Sequence, residues 1–229
     1  MTLTPKFLSV KEVPSLFWSS PKALTIKPPL ISVVFLIIGL TLFGLGEALL
    51  VAAGVGVSPW TVLAQGIMNV TGWTIGFATF ITSVVVLFLW VPLRQVPGIG
   101  TILNAIIISL VLEYLLPFLP TFEHLMLKLA EAMLGVLVTG LGGALYLIAN
   151  LGPGPRDGLM TGLQKVTDLP IAWVRSSLEV SVIAAGWALG GTIGVGTVLF
   201  ALGIGPSVAA SMYLLKSMFG EHKPTVLIL

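Results

Sequence analysis

Cysteine is absent from the 229 residues, and charged residues make up only 9% of them. The first absence excludes disulfides, thiolate nucleophiles and cysteine-ligated metals. The second excludes an ordinary water-exposed surface, because soluble domains carry about 25% charged residues. The two histidines, His124 and His222, are isolated, so we expect no metal site. No set of nucleophile, base and acid is visible either, and the sequence predicts neither a cofactor nor an enzyme.

Long apolar runs take the place of charge, since 56% of the residues are hydrophobic. A helix needs about 20 mostly apolar residues to cross a bilayer. Six runs reach that length: Leu30 to about Ala53, Trp73–Leu93, Gly98–Leu116, Ala132–Leu151, Ile171–Gly191 and Ile193–Leu215. The sequence therefore predicts an all-α polytopic membrane protein with the lipid bilayer as its partner. The lysines and arginines are too few and scattered for nucleic-acid binding.

Two further apolar segments are too short to cross. They are Ser58–Val70 and Gly154–Val166, and each would form a helix of about 20 Å against an apolar core of about 30 Å. Each begins at a break rich in glycine and proline. We expect two half-helices that enter the membrane without crossing it, because irregular backbone at membrane depth must be buried in protein or line a cavity.

The sequence repeats itself without a gap. Gly44–Gly66 aligns with Gly140–Gly162, 96 positions later, and Pro97–Ala105 aligns with Ile193–Ala201. Each copy contains one long span, one half-helix and two more spans. Three crossings are an odd number, so the second copy enters the membrane the other way up. The pattern predicts an inverted repeat with six full spans and two half-helices, as in many transporters.

The positions of the basic residues indicate the orientation. If the half-helices do not cross, the loops and ends on one side carry Arg94, Arg156, Lys165, Lys216 and Lys223. That side is predicted to be cytoplasmic, together with both termini. The predicted organisation is a basic tail (1–29), a first membrane repeat (30–117), an outer connection (118–131), a second repeat (132–217) and a C-terminal tail (218–229). Apolar residues of the first tail suggest contact with the membrane surface: Phe7, Leu8, Leu16, Phe17 and Trp18.

Four charges distinguish the second repeat from the first. Arg156, Asp157, Arg175 and Glu179 stand where the first repeat has Trp60, Thr61, Thr79 and Ser83. A charge at membrane depth is costly and is expected to have a partner. Two interpretations remain open. The four charges form a neutral salt-bridge cluster that fixes the half-helix, or they bind an anionic substrate at the half-helix N-terminus.

The remaining candidates lie near the two breaks. Gly152 and Gly154 would allow close backbone approach to a ligand, and Ser58 occupies the matching position in the first repeat. Glu47 either faces the cavity or lies at the interface, and Glu113 is expected to extend to the interface. The predicted substrate-binding set is therefore Glu47, Ser58, Gly152, Gly154, Arg156, Asp157, Arg175 and Glu179. Four tryptophans fit an interfacial belt: Trp60, Trp73, Trp90 and Trp173.

Several motifs together resemble a known family. They are "GLGPGPRDGLMTGL" and "IAWVRSSLEV" in the second half and "GLGEALLVAAGVGVSPW" and "PGIGTILNAI" in the first half. With them, residues 30–217 resemble the YczE/YyaS/YitT group of bacterial membrane proteins, and its YczE-like members in particular. The resemblance implies a bacterial plasma-membrane protein without implying a substrate. Ser58 and Thr61 depart from the glycine and aspartate that this group often has in its first-half motif.

The combined observations favour a transporter or facilitator of a small polar or anionic solute. The alternative is a membrane accessory protein that does not transport and binds a partner in a biosynthetic or export complex. The sequence leaves the substrate, its direction, a coupling ion and a homo-oligomer open.

Overall fold

Eight α-helices make up most of residues 13–221, the part of the chain that this computed structural model describes. In chain order they are α1 (Leu30–Ala53), α2 (Pro59–Thr71), α3 (Ile75–Trp90), α4 (Ile99–Leu115), α5 (Leu125–Ala149), α6 (Pro155–Thr167), α7 (Ile171–Ala188) and α8 (Val195–Phe219). A 3₁₀ turn, Leu116–Phe118, extends α4. Residues 13–221 contain no strand, so the all-α class is confirmed. The predictions for Phe7, Leu8, His222 and Lys223 lie outside the described residues.

Four helices are long and apolar enough to cross a membrane: α1, α4 with its 3₁₀ turn, α5 and α8. Large apolar side chains such as Ile37, Leu110 and Leu202 are exposed on their outer faces, as expected of surfaces that contact lipid. A fifth span is reached only if α2 and α3, which are bent by 114° at Gly72, count as one. The structure thus supports a polytopic helical membrane protein with four to five apolar spans.

Two of the six predicted spans are shorter than expected. Helix α3 has 16 residues, because it begins after the N-cap Thr74 and ends before Pro92. Helix α7 has 18 residues and ends before Gly190, whose φ of 90° does not continue a helix. Because α7 also carries Arg175 and Glu179, it is too polar to count among the apolar spans.

The two short helices form as predicted, within one residue at each end. Helices α2 and α6 each have 13 residues and a proline in the first turn, where a missing N–H costs nothing. Each ends at a residue in the left-handed region, Gly72 with φ 74° and Asp168 with φ 56°. Proline and a left-handed cap fix both ends by local backbone chemistry.

Helix bounds recur at the sequence offset of 96 residues. The starts and ends of α2 and α6 match at this offset, and so do the first residues of α4 and α8. Hydrogen bonds recur as well. The Gly100 N–H donates to the Leu151 carbonyl over 2.7 Å, and the Gly196 N–H donates to the Val55 carbonyl over 2.8 Å. Each half therefore attaches the start of its last helix to the break of the other half.

Helices α1 and α5 form the centre of the molecule and pack through glycines. A Cβ on Gly142 would lie 2.5 Å from the Gly39 carbonyl oxygen, and a Cβ on Gly46 would lie 2.6 Å from the Gly135 carbonyl oxygen. Gly39 and Gly135 occupy matching positions of the two halves, and so do Gly46 and Gly142. The two backbones approach this closely only because small residues face each other.

The described part of the basic tail is folded against the helices. Leu16 and Trp18 are buried, and the Trp18 ring stacks on Phe35 with 4.3 Å between centroids. The Ser20 N–H donates to the Ala149 carbonyl, one of the carbonyls that the end of α5 leaves without a helical partner. Leu16 and Trp18 therefore contact the protein rather than lipid, because they cover the end of α5.

Candidate functional site

A cavity of about 320 Å³ lies where α5, α6, α7 and α8 meet. Its polar lining consists of Trp60, Asn104, Tyr146, Arg156, Asp157, Arg175 and Glu179. Its apolar lining includes Phe43, Ile108, Leu147, Phe200, Ile204, Val208 and Met212. Charge is thus concentrated at the α6–α7 side, while α8 supplies an apolar wall. Such a division suits a ligand with a charged end and an apolar body.

Arg156 projects from the first turn of α6 toward the first turn of α2. Its Cζ atom lies 5.3 Å from the centroid of the Trp60 ring, within range of a cation–π contact. Trp60 and Arg156 occupy matching positions of the two halves, so the tips of the two short helices meet here. Among residues 13–221, Arg156 forms neither a salt bridge nor a side-chain hydrogen bond. Its guanidinium therefore keeps its donors available in the cavity.

Asp157 accepts a hydrogen bond from a tyrosine of the neighbouring helix α5. The Tyr146 hydroxyl on α5 donates to Asp157 Oδ2 over 2.6 Å, and the tyrosine side chain is buried. A hydrogen bond to a carboxylate is short and strong. This bond fixes the first turn of α6 against α5 and satisfies one carboxylate oxygen beside Arg156.

Arg175 and Glu179 pair with each other across one turn of α7. Arg175 Nε donates to Glu179 Oε1 over 2.8 Å, and the two side chains are 46% and 25% exposed. The pair is one helical turn apart, as the spacing predicts. It lines the same cavity as Arg156 without forming a salt bridge to it. The structure therefore gathers all four charges around one cavity but does not join them into one ion-pair network.

Glu47 has partners within the first half. Its Oε2 accepts from the Ser58 hydroxyl over 2.7 Å and from the Thr61 hydroxyl over 2.6 Å. The side chain is 1% exposed, and Oε1 has no partner in the described part of the chain. Glu47 and Ser58 thus lie behind the cavity wall, next to Trp60, rather than in the lining.

The other predicted residues also lie partly in the cavity lining and partly outside it. Gly154 lines the cavity, whereas Gly152 lies in the preceding turn with φ 108° and packs on Gly98. Gly152 therefore lies outside the cavity lining, and its part in binding stays a prediction. Glu113 has a partner within the protein, since its Oε2 accepts from the Gly76 N–H over 2.9 Å. Trp60 is buried and faces Arg156, so it does not belong to an interfacial belt.

Sequence reasoning missed Tyr146 and Asn104 and misplaced Trp60. Tyr146 stands where the first half has Leu50, and this gain of a hydroxyl beside the gained Asp157 was the available signal. No comparable signal marks Asn104, because an in-span asparagine serves equally well between two helices. Among the described residues, no three acidic or histidine side chains converge as a metal site requires.

The fold and this cavity define a polytopic helical membrane protein with a charged internal site. Residues 30–213 match the family of unknown function DUF6198, and the chain belongs to that family. The match extends over both halves and includes every residue of the cavity.

Three relatives are similar over most of their length. An uncharacterized protein of Haemophilus influenzae is 42% identical over 199 residues, which cover 87% of this chain and 90% of that protein. The uncharacterized membrane protein YczE of Bacillus subtilis is 32% identical, with 73% and 79% covered. The uncharacterized protein YyaS of the same organism is 26% identical, with 71% and 83% covered. The resemblance to YczE and YyaS is thus confirmed. No solved structure matches the chain.

Proposed function

We propose that this protein is a transporter or facilitator of a small anionic solute in the bacterial cell membrane. The observation that carries the proposal is Arg156, an arginine without an acidic partner in a cavity at the tips of two short helices. A cation at membrane depth is costly unless an anion accompanies it. The solute anion would supply that missing charge, held against Trp60 on one side and the α6 backbone on the other.

The first turn of α6 adds donors to the same place. Its N-cap is Gly154, which has no side chain to accept from the backbone, and the N–H groups of Arg156 and Asp157 have no acceptor in residues 13–221. Free N–H groups and the positive end of the helix dipole attract an anion. Helix α2 differs because its N-cap Ser58 and its Thr61 are bound to Glu47. The anion is therefore expected at α6.

The proposal includes an inverted repeat of six membrane crossings and two re-entrant half-helices. Recurring helix bounds and the reciprocal bonds of Gly100 and Gly196 support a two-fold relation between the halves. Helices α3 and α7 would cross as short spans, with Arg94 and both termini on the cytoplasmic side. Transporters built in this way bind solutes where half-helices meet near the membrane midplane.

Binding of a permanently charged probe tests the site. Purified protein is titrated with benzenesulfonate, an anion with an apolar body, and with benzyltrimethylammonium, a cation of similar size. We expect the anion alone to bind and Arg156→Gln to weaken it at least tenfold, about 1.4 kcal/mol. Lys165→Gln is the matched control, because it removes a positive charge from α6 outside the cavity. Equal affinity for the two probes, or for wild type and Arg156→Gln, would contradict the proposal.

Flux in vesicles tests transport as distinct from binding. Reconstituted protein should accelerate benzenesulfonate uptake, and Arg175→Ala or Glu179→Gln should abolish the acceleration while the variants keep their elution volume and melting temperature. Binding without flux, together with a stably co-purifying partner, would instead favour an accessory protein that does not transport.

A further inference from the structure

We propose that Glu47 is a proton-binding site coupled to the anion site, so that one anion at Arg156 and one proton at Glu47 bind together. This inference rests on the proposed function. It assigns Glu47, Ser58 and Thr61 a role separate from substrate contact, since only Trp60 of this segment lines the cavity.

The Glu47 carboxyl group lies in surroundings that do not favour a charge. Glu47 is 1% exposed in the middle of the molecule, and its Oε1 has no hydrogen-bond partner among residues 13–221. An ionised carboxylate with one bare oxygen is costly in an apolar interior. Its charge is tolerated only while a cation stands nearby. The same group is readily accommodated once it is protonated and neutral.

Arg156 is the cation that compensates the charge of Glu47. The Arg156 guanidinium lies against Trp60, with Cζ 5.3 Å from the ring centroid. The residue after Trp60 is Thr61, which donates to Glu47 over 2.6 Å. Among residues 13–221 the Arg156 guanidinium has no carboxylate within salt-bridge distance, so its charge acts on Glu47 at longer range. When an anion occupies Arg156, that compensation ends and Glu47 gains a proton. The balance is one anion and one proton taken up, and the net charge of the complex is unchanged.

The oxygens around Glu47 suit a proton rather than a metal cation. The three oxygens around the site, Glu47 Oε2, Ser58 Oγ and Thr61 Oγ1, lie 2.6–2.9 Å from one another. At these separations the hydroxyl hydrogens lie between the oxygens. A hard cation would need several more oxygens turned toward a common centre. Because both hydroxyls already donate toward Oε2, the proton taken up goes to Oε1, which has no hydrogen-bond partner among the described residues.

Other titratable groups on the helices around the cavity have partners of their own. On α5 and α6, Tyr146 and Asp157 are bonded to each other. On α4, Glu113 accepts from the Gly76 N–H, and on α7, Arg175 and Glu179 form an ion pair. Glu47 is therefore the acid near Arg156 that retains an unbonded, fully buried carboxylate oxygen.

Calorimetric titration with benzenesulfonate tests the coupling, because a sulfonate takes up no proton itself. Titrations in two buffers of different ionisation enthalpy give the protons taken up per bound anion. We expect a value near one at the pH of maximal linkage, and an affinity that rises by up to about tenfold for each pH unit lowered. Glu47→Gln should bind the anion with no proton uptake and a flat pH profile.

A second buried acid provides the matched control. Glu131 is 6% exposed and has no hydrogen-bond partner in the described residues, but it does not line the cavity. Glu131→Gln should keep the proton uptake of wild type. If Glu47→Gln does not fold, infrared difference spectra of wild type still decide, since anion binding should produce the carbonyl band of a protonated carboxylic acid.

The outcomes separate the two proposals. Benzenesulfonate that does not bind at any pH overturns the proposed function. Anion binding without proton uptake, or with uptake that survives Glu47→Gln, overturns the coupling alone. Dependence of affinity on sodium concentration rather than on pH also overturns it.

Discussion

The two halves close their last helix pair differently. In the first half, α3 packs along α4, and the Gly76 N–H at the start of α3 donates to Glu113 near the end of α4. The matching positions of the second half are Ala172 and Ala209, which cannot form this bond. Helix α7 packs mainly on α2 and α6 and makes little contact with α8. Ala209 lines the cavity that remains.

The two halves also differ at the N-terminal tips of α2 and α6. The first half fills its tip with Glu47, Ser58 and Thr61, which are all buried. At the matching positions the second half has Gly143, Gly154 and Asp157, and all three line the cavity. Loss of the large side chain at one position and of the hydroxyl at the next leaves room beside Arg156. The same backbone arrangement thus surrounds a buried acid in one half and an open cavity beside Arg156 in the other.

The largest expected effect tests what the halves share. Gly46→Ala and Gly142→Ala both place a Cβ against the backbone of the partner helix, so each should cost more than about 3 kcal/mol and abolish the yield of folded protein. Gly205→Ala is the control, because a Cβ there meets nothing within 4 Å. Yield after size-exclusion chromatography measures the effect. Unequal losses for the two central variants would break the two-fold comparison.

The next effect concerns α3 and α4, the helix pair that the bond between Gly76 and Glu113 joins. Glu113→Ala leaves the Gly76 N–H without its acceptor and should loosen α3 from α4, at a cost of about 1–3 kcal/mol. Because the chain has no cysteine, Ser109→Cys reports the opening as a several-fold faster reaction with a maleimide. Ser211→Cys on α8 should react at an unchanged rate. Equal rates at position 109 with and without Glu113→Ala would show that the bond does not hold the pair closed.

The converse change places a hydrogen-bond acceptor on α8, which makes little contact with α7. Ala209→Glu should accept from the free Ala172 N–H, draw α7 toward α8 and lower the affinity for benzenesulfonate about tenfold. Ala209→Leu is the control, because it adds similar bulk without an acceptor. A fluorescence titration measures both affinities. If the two variants bind equally, bulk alone explains the loss and the comparison with Glu113 fails.

The smallest expected effect lies at the second tip. Tyr146→Phe removes the hydroxyl that donates to Asp157, and we expect a loss of only about 1 kcal/mol in stability, because water in the cavity can replace the donor. Thr61→Val, which removes a donor from Glu47 in the first half, is the matched comparison. Thermal melting followed by intrinsic fluorescence ranks the two. A larger loss for Tyr146→Phe than for Gly142→Ala would show that the tip, rather than the central glycine contact, dominates the stability of the second half.

Helix ends were predictable where local backbone chemistry fixes them. Pro59 and Pro155 begin α2 and α6, and both bounds agree with the sequence within one residue. The i, i+4 pairing of Arg175 and Glu179 was equally local. The burial of Trp18 was not predictable, because an apolar side chain suits lipid and protein interior equally well.

The order of the apolar runs and the breaks before both short helices follow from the sequence alone, since they depend on residues near one another in the chain. The 96-residue offset follows from comparing the sequence with itself. Tertiary structure decided which helices became neighbours. It brought Arg156 onto Trp60, Tyr146 onto Asp157, and left α7 apart from α8. These contacts join residues from different helices, and in a chain where nearly every surface is apolar, hydrophobicity does not specify which surfaces meet.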